Sequence, residues 1–157
     1  MSDKNLVPIL ILEDNDVDVE IVRRAFRKDD IQNPLYVAED GAVALDILNG
    51  EKEDRISQPC LILVDINMPR MDGFSFLEAV HSDERLKKNV PFMLTTSRRE
   101  SDMERAYGLK VAGYLLKDDI GKVSTMLAEY LRTNKWLGHE DAPPVSSLQS
   151  GDETPAR

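Results

Sequence analysis

The sequence predicts an α/β fold, an open parallel sheet with helices on both faces, and three observations point to it. Five short apolar runs alternate with five segments of helical spacing, joined by brief polar connections. The central run, Cys60-Leu61-Ile62-Leu63-Val64, does not alternate apolar with polar residues, so it reads as a strand buried on both faces of a parallel sheet. That run stops at a carboxylate, Asp65, and a loop punctuated by proline and glycine follows, Asn67-Met68-Pro69-Arg70-Met71-Asp72-Gly73.

Leu6 to Leu12 is the first strand, and it delivers the acidic loop Glu13-Asp14-Asn15-Asp16. From Val17 to Lys28 the spacing turns helical, with Val19, Val22 and Phe26 on one stripe. Asn15 and Asp16 are natural caps for that helix, because their side chains accept hydrogen bonds from its free amides. Asn33-Pro34 breaks the chain before the second strand, Leu35 to Ala38. Gly41 to Asn49 is a short helix with Ala44, Leu45 and Leu48 inward, stopped by Asn49-Gly50. A polar, charged surface connection, Glu51 to Gln58, leads to the central strand.

Gly73 to Ser82 is the third helix, with Phe76, Leu77 and Val80 facing in, and a charged loop carries the chain to the fourth strand, Pro91 to Thr95. Ser101 is placed to cap a helix reaching about Lys110, with Met103, Ala106 and Tyr107 on one side. Ala112 to Leu116 is the fifth strand, ending at Lys117. The last helix runs from Ile120 to about Trp136, with Ile120, Val123, Leu127, Tyr130, Leu131 and Asn134 tracing a face. Residues 1–137 thus form one domain. Residues 138–157 are rich in proline, serine and acidic side chains and are expected to be a mobile or partner-ordered tail.

Composition narrows the function. Twenty-nine acidic against 20 basic residues give a net charge of -9, which argues against binding a phosphate backbone, since that needs clustered Lys and Arg. No stretch approaches the ~18 consecutive apolar residues of a membrane span. The amino end lacks a signal-peptide pattern, so the expected location is the cytoplasm. Cys60 is the only cysteine, which excludes an internal disulfide; inside an apolar run it reads as a small hydrophobe.

In parallel sheets, ligand sites lie beyond the carboxyl ends of the strands. There the sequence offers Glu13 and Asp14 after strand one, Asp65 after strand three, Thr95 after strand four and Lys117 after strand five. Three carboxylates crowded at one sheet edge repel one another, and a hard divalent cation relieves the repulsion. Mg²⁺ suits such a place because it takes oxygen ligands and keeps several waters. Asp14, Asp65 and the carbonyl of Asn67 can provide ligands, with Glu13 acting directly or through water. A metal held there orients an incoming phosphoryl group for in-line attack by Asp65, since aspartate is a known nucleophile toward phosphorus. Lys117 then pairs with phosphoryl oxygens as a point charge, and Thr95 donates a hydrogen bond to one of them. Taken singly, Lys117 reads better as a solvated loop lysine and Thr95 as a strand-end threonine making a local turn; it is the four strand ends in order that outweigh those readings.

These residues carry a resemblance. The acidic pair Glu13-Asp14, the block Asp65-x-Asn67-Met68-Pro69-x-Met71-Asp72-Gly73, then Thr95, Tyr114 and Lys117 resemble, in order and spacing, a response-regulator receiver domain of two-component signalling. The similarity spans roughly Leu6 to Trp136 and is to the single-domain, chemotaxis-regulator type. It implies a flavodoxin-like sheet in 2-1-3-4-5 order. It further implies Mg²⁺-dependent transfer of a phosphoryl group from a partner histidine kinase's phosphohistidine to Asp65. A two-state switch is also implied, in which Thr95 moves toward the phosphoryl group, Tyr114 turns inward, and the output face is the fourth helix, fifth strand and fifth helix. Asn67 and Ser97 occupy positions that, by the resemblance, tune water attack on the acyl phosphate. The Thr95-Thr96-Ser97 run and the charged loops resemble receivers that serve phytochrome-like kinases. The family usually has proline after the lysine; here Asp118 and Asp119 follow, and capping of the last helix is the expected use.

Without an output module after Trp136, the signal is expected to leave by protein contact, and the Trp136-Leu137 pair points to a homodimer through the last helix and the segment after it. Three other readings compete. A haloacid-dehalogenase-type phosphatase would want a second carboxylate two residues after the nucleophile, where Asn67 stands, and a cap domain. A flavodoxin-type cofactor binder should carry a hydroxyl-rich or glycine-rich phosphate loop after strand one, in place of Glu13-Asp14-Asn15-Asp16. The third is a receiver-like scaffold that signals by dimerisation without phosphorylation.

Overall fold

A computed structural model describes residues 6–50 and 56–133. The chain alternates strand and helix: β1 (Ile9–Leu12), α1 (Asp16–Lys28), β2 (Leu35–Ala38), α2 (Gly41–Leu48), β3 (Leu61–Val64), α3 (Gly73–Ser82), β4 (Val90–Thr95), α4 (Glu100–Gly108), β5 (Gly113–Leu116) and α5 (Ile120–Thr133). A single 3-10 turn, Lys117–Asp119, joins β5 to α5. All pairings are parallel, and the five strands lie in the order β2-β1-β3-β4-β5, the flavodoxin-like arrangement expected. The register sets Leu12 beside both Ala38 and Val64, Val64 beside Met93, and Thr95 beside Leu116, so the carboxyl ends of all five strands share one edge.

The sheet separates two apolar layers. On one side Ile9, Ile11, Leu61, Leu63, Phe92 and Leu94 pack with Val22 and Phe26 of α1 and Val123, Leu127 and Tyr130 of α5. On the other, Leu10, Leu12, Ile62, Val64 and Met93 pack with side chains of α2, α3 and α4. Successive residues of a strand point to opposite faces, so each central strand feeds both layers. This is why β1 and β3 are buried at every position and why their sequences do not alternate.

The helices follow their sequence signals with local exceptions. Asn15 caps α1 by accepting from the amides of Val17 (2.9 Å) and Asp18 (3.0 Å). Asp16 lies inside the first turn, where an acidic side chain suits the positive end of the helix. Gly50 ends α2 with a left-handed φ of 73°, and its amide reaches the Ile47 carbonyl at 3.1 Å. The first strand is shorter than expected because Pro8 has no N–H to give a ladder; its carbonyl accepts from Leu61 instead. The fourth helix begins at Glu100, with Arg99 in the cap position, and Tyr107 points outward rather than sharing the face of Ala106. Ser101 is therefore not the cap. Asn134, the Trp136–Leu137 pair, residues 51–55 and the segment 138–157 lie outside the described residues. Among the described residues no helix is long and apolar enough to cross a membrane.

Candidate functional site

Parallel strands of matched register bring their next residues together. Glu13 follows β1 and Asp65 follows β3, and because β1 and β3 are neighbours the two carboxylates stand side by side, only 4% and 8% exposed. Thr95 ends β4 and is fully buried. Lys117 follows β5 and reaches back across the edge. Its ammonium lies 2.5 Å from Glu13 Oε1, 3.0 Å from Asp65 Oδ2 and 3.0 Å from Asp18 Oδ2.

The electrostatics follow from burial and pairing. Burial disfavours the Lys117 ammonium, yet its hydrogen bonds to Glu13 and Asp18 and the charge of Asp65 outweigh this and raise its pKa above the ordinary lysine range. Burial likewise pushes the Glu13 carboxyl up; the hydrogen bond and charge of Lys117 offset only part of that, and the negative Asp65 adds to it. One cation thus holds three carboxylates, an arrangement with surplus negative charge at a sheet edge.

The loop after Asp65 is held from two directions. Gly73 opens α3 directly against the backbone of Asp65: a Cβ there would sit 2.2 Å from the Asp65 carbonyl oxygen. Only glycine fits this approach. Asp72 caps α3 by accepting from Ser75 N, and Gly73 N donates to the Ile66 carbonyl at 3.0 Å. From the other side, Arg70, at a left-handed φ of 61°, clamps the buried Asp40 with two nitrogens at 2.6 and 2.5 Å. Asp40 also caps α2 by accepting from Val43 N. Burial alone would push the Asp40 carboxyl up, but the Val43 amide and the Arg70 guanidinium hold it below the usual carboxylate range.

On the far side, Thr95 Oγ1 accepts from the Ser97 amide at 3.3 Å. Ser97 Oγ donates to Asp102 at 2.6 Å, and the Tyr114 hydroxyl donates to the Ser97 carbonyl at 2.9 Å. Asp118, the middle residue of the 3-10 turn, pairs with Arg98 at 3.2 Å, linking the turn that carries Lys117 to the segment between β4 and α4. Asp118 and Asp119 lie within that turn, immediately before Ile120 opens α5. The Lys117–Asp118 peptide is trans; Gln58–Pro59 is the one cis peptide among the described residues.

Of the residues picked out from the sequence, Glu13, Asp65 and Lys117 are in direct contact, and Thr95 and Tyr114 flank them through the Ser97 loop. Asp14 and Asn67 lie exposed at the same edge. Among the described residues no three His, Cys, Asp or Glu side chains are grouped as a ready metal cage. The donors at hand are hard oxygens, which fits an Mg²⁺-type ion, because that ion needs only one or two carboxylates and completes its shell with water. Sequence reasoning missed Asp18, Asp40 and Arg70. The first two stand at helix starts, where acidic residues are expected for local reasons, so nothing in the chain flags their distant partners.

The comparisons with known proteins agree with this geometry. Residues 9–128 match the response regulator receiver domain. Response regulator Rcp1 of Synechocystis sp. is 34% identical over 120 residues, covering 74% of this chain and 82% of that protein. Among solved structures, the phosphorylated cyanobacterial phytochrome response regulator RcpA superposes with a TM-score of 0.73 at 28% identity, over 82% of this chain and 96% of that one. The Mn(2+)-bound form of response regulator Rcp1 gives a TM-score of 0.69 at 30% identity, over 87% and 99% respectively. With five parallel strands in the order 2-1-3-4-5 and a receiver match over most of its length, the chain belongs to the response regulator receiver domain family.

Proposed function

We propose that this protein is a single-domain response regulator that accepts a phosphoryl group on Asp65 from the phosphohistidine of a partner histidine kinase, in an Mg²⁺-dependent reaction. The observation that supports it is the buried Asp65 carboxylate beside Glu13, with the Lys117 ammonium within 3.0 Å. An Asp65 oxygen attacks phosphorus, the P–N bond of the donor breaks, and the electron pair returns to the imidazole nitrogen. Lys117 then pairs with a phosphoryl oxygen, and Thr95 donates its hydroxyl to another. Asp14, Asp65 and the Asn67 carbonyl would hold the metal, with Glu13 bound directly or through water; when bound, it neutralises charge on the transferring group. Tyr114, whose hydroxyl is on the Ser97 carbonyl, reports the movement of Thr95 to the α4–β5–α5 face.

Incubation with acetyl phosphate and Mg²⁺ should add one phosphoryl group to the wild type and none to Asp65→Asn, read by intact mass. Full labelling of the variant would overturn the acceptor assignment. Calorimetry should detect Mg²⁺ binding at millimolar concentrations, and chelation should stop labelling.

The kinase is of the phytochrome-linked kind, a reading supported by the phytochrome response regulators among the structural neighbours. A phosphotransfer screen against candidate kinases tests it. The accompanying proposals are a cytoplasmic location and a homodimer through α5 and the segment bearing Trp136 and Leu137. Sedimentation before and after phosphorylation tests the dimer.

A further inference from the structure

We infer that Asp18 is a positioning residue that tethers the Lys117 ammonium in the resting protein and competes for it with an incoming phosphoryl group. The inference rests on the phosphoryl-acceptor reading above. A lysine ammonium has three donors and no acceptor. Here three carboxylates, those of Glu13, Asp18 and Asp65, stand within 3.0 Å of it and use that capacity in full. A phosphoryl oxygen therefore gains a hydrogen bond from Lys117 only by displacing one of them.

The three are not equivalent. Asp65 is the acceptor itself. The Glu13 side chain is 3% exposed and leaves its partner only by losing a hydrogen bond with no water to replace it. The Asp18 side chain is 36% exposed, so water can take over its hydrogen bonds when the ammonium departs. Asp18 is the ligand that gives way.

Its placement is specific. The Asn15 cap accepts from the Asp18 amide at 3.0 Å and fixes the first turn of α1 beside the sheet edge. Complementing the helix end does not require this contact, because Asp16 sits in the same turn. The Asp18 carboxylate reaches instead to a residue 99 positions away.

A tether of this kind has an electrostatic signature. Removing its negative charge frees Lys117 for an anion and makes the same pocket less attractive to a cation, so the two affinities move in opposite directions. A purely structural role would weaken both together.

The test uses the full chain and its Asp18→Asn and Asp18→Glu variants, with calorimetry of Mg²⁺ alone and of beryllofluoride at saturating Mg²⁺. Asp18→Asn should bind beryllofluoride about five-fold more tightly or better, the low end of coupling between linked sites, and Mg²⁺ more weakly. Asp18→Glu, which keeps the charge, should restore the wild-type balance. Unchanged affinities, or a parallel weakening of both in Asp18→Asn, would overturn the inference. If the wild type itself binds no beryllofluoride in the presence of Mg²⁺, the acceptor reading falls, and the tether with it.

Discussion

Lys117 is the residue on which the site's charge balance turns. Substituting alanine leaves Glu13 and Asp65 buried together without their shared cation, and the loss of stability should be about 2 kcal/mol, read by urea unfolding. Added Mg²⁺ should recover part of that loss, because an ion that binds only the folded chain stabilises it by mass action. The pH dependence has a definite sign. The folded pKa of Lys117 lies above its unfolded value, so its contribution is complete below the unfolded pKa of about 10.4 and fades as pH rises beyond it. Stability of the wild type should therefore decline in that alkaline range more steeply than that of Lys117→Ala. Gly73→Ala should destabilise by about 1–3 kcal/mol and slow labelling of Asp65, because its methyl group would meet the Asp65 carbonyl. At this scale the strand-end residues were legible in the sequence, since an unbroken apolar run that stops at a polar residue marks the sheet edge. Asp18 was not, because its partner lies on another element. Cys60 is what its context suggested: a buried thiol that burial pushes up to about 12, out of reach of redox chemistry at neutral pH.

At the level of elements, the Asp40–Arg70 pair joins α2 to the loop after Asp65. Asp40→Ala removes both the α2 cap and the guanidinium's partner, and should lower stability by about 1–2 kcal/mol. The carboxyl of Asp40 is held below its unfolded pKa of about 3.9, so its contribution is present above that pH and lost as pH falls through the folded value. A wild-type-minus-variant stability curve should accordingly shrink on acidification. Helical spacing identified the buried stripe of α1, Val19, Val22 and Phe26, because a 3.6-residue period shows plainly over 13 residues. In the nine-residue α4 the same reasoning placed Tyr107 on the wrong face and the cap two residues late. A helix that short leaves the phase of its stripe undetermined, and Ser97, bonded to Asp102, orders its entry from outside the helix.

Across the whole molecule, β3 binds the two apolar layers into one cooperative unit. Ile62 faces the α2–α3–α4 layer and Leu63 the α1–α5 layer, both fully buried. Either residue changed to alanine should cost about 2–5 kcal/mol and shift a single unfolding transition, seen alike by far-UV circular dichroism and tyrosine fluorescence. Two separate transitions would mean that the layers unfold apart. The mechanical division at the functional edge runs differently. Gly73 seated on the Asp65 carbonyl, and Asp40 gripping Arg70, weld α2, α3 and Asp65 into an anvil. Facing it, the segment between β4 and α4 is fastened by a few side-chain bonds through Ser97, within reach of Tyr114. A vice with one fixed jaw closes only from the other side, so on the proposed reading the grip on a phosphoryl group at Asp65 comes from Thr95 and Lys117, and a partner that watches the neighbouring α4 and β5 learns the state of the pocket.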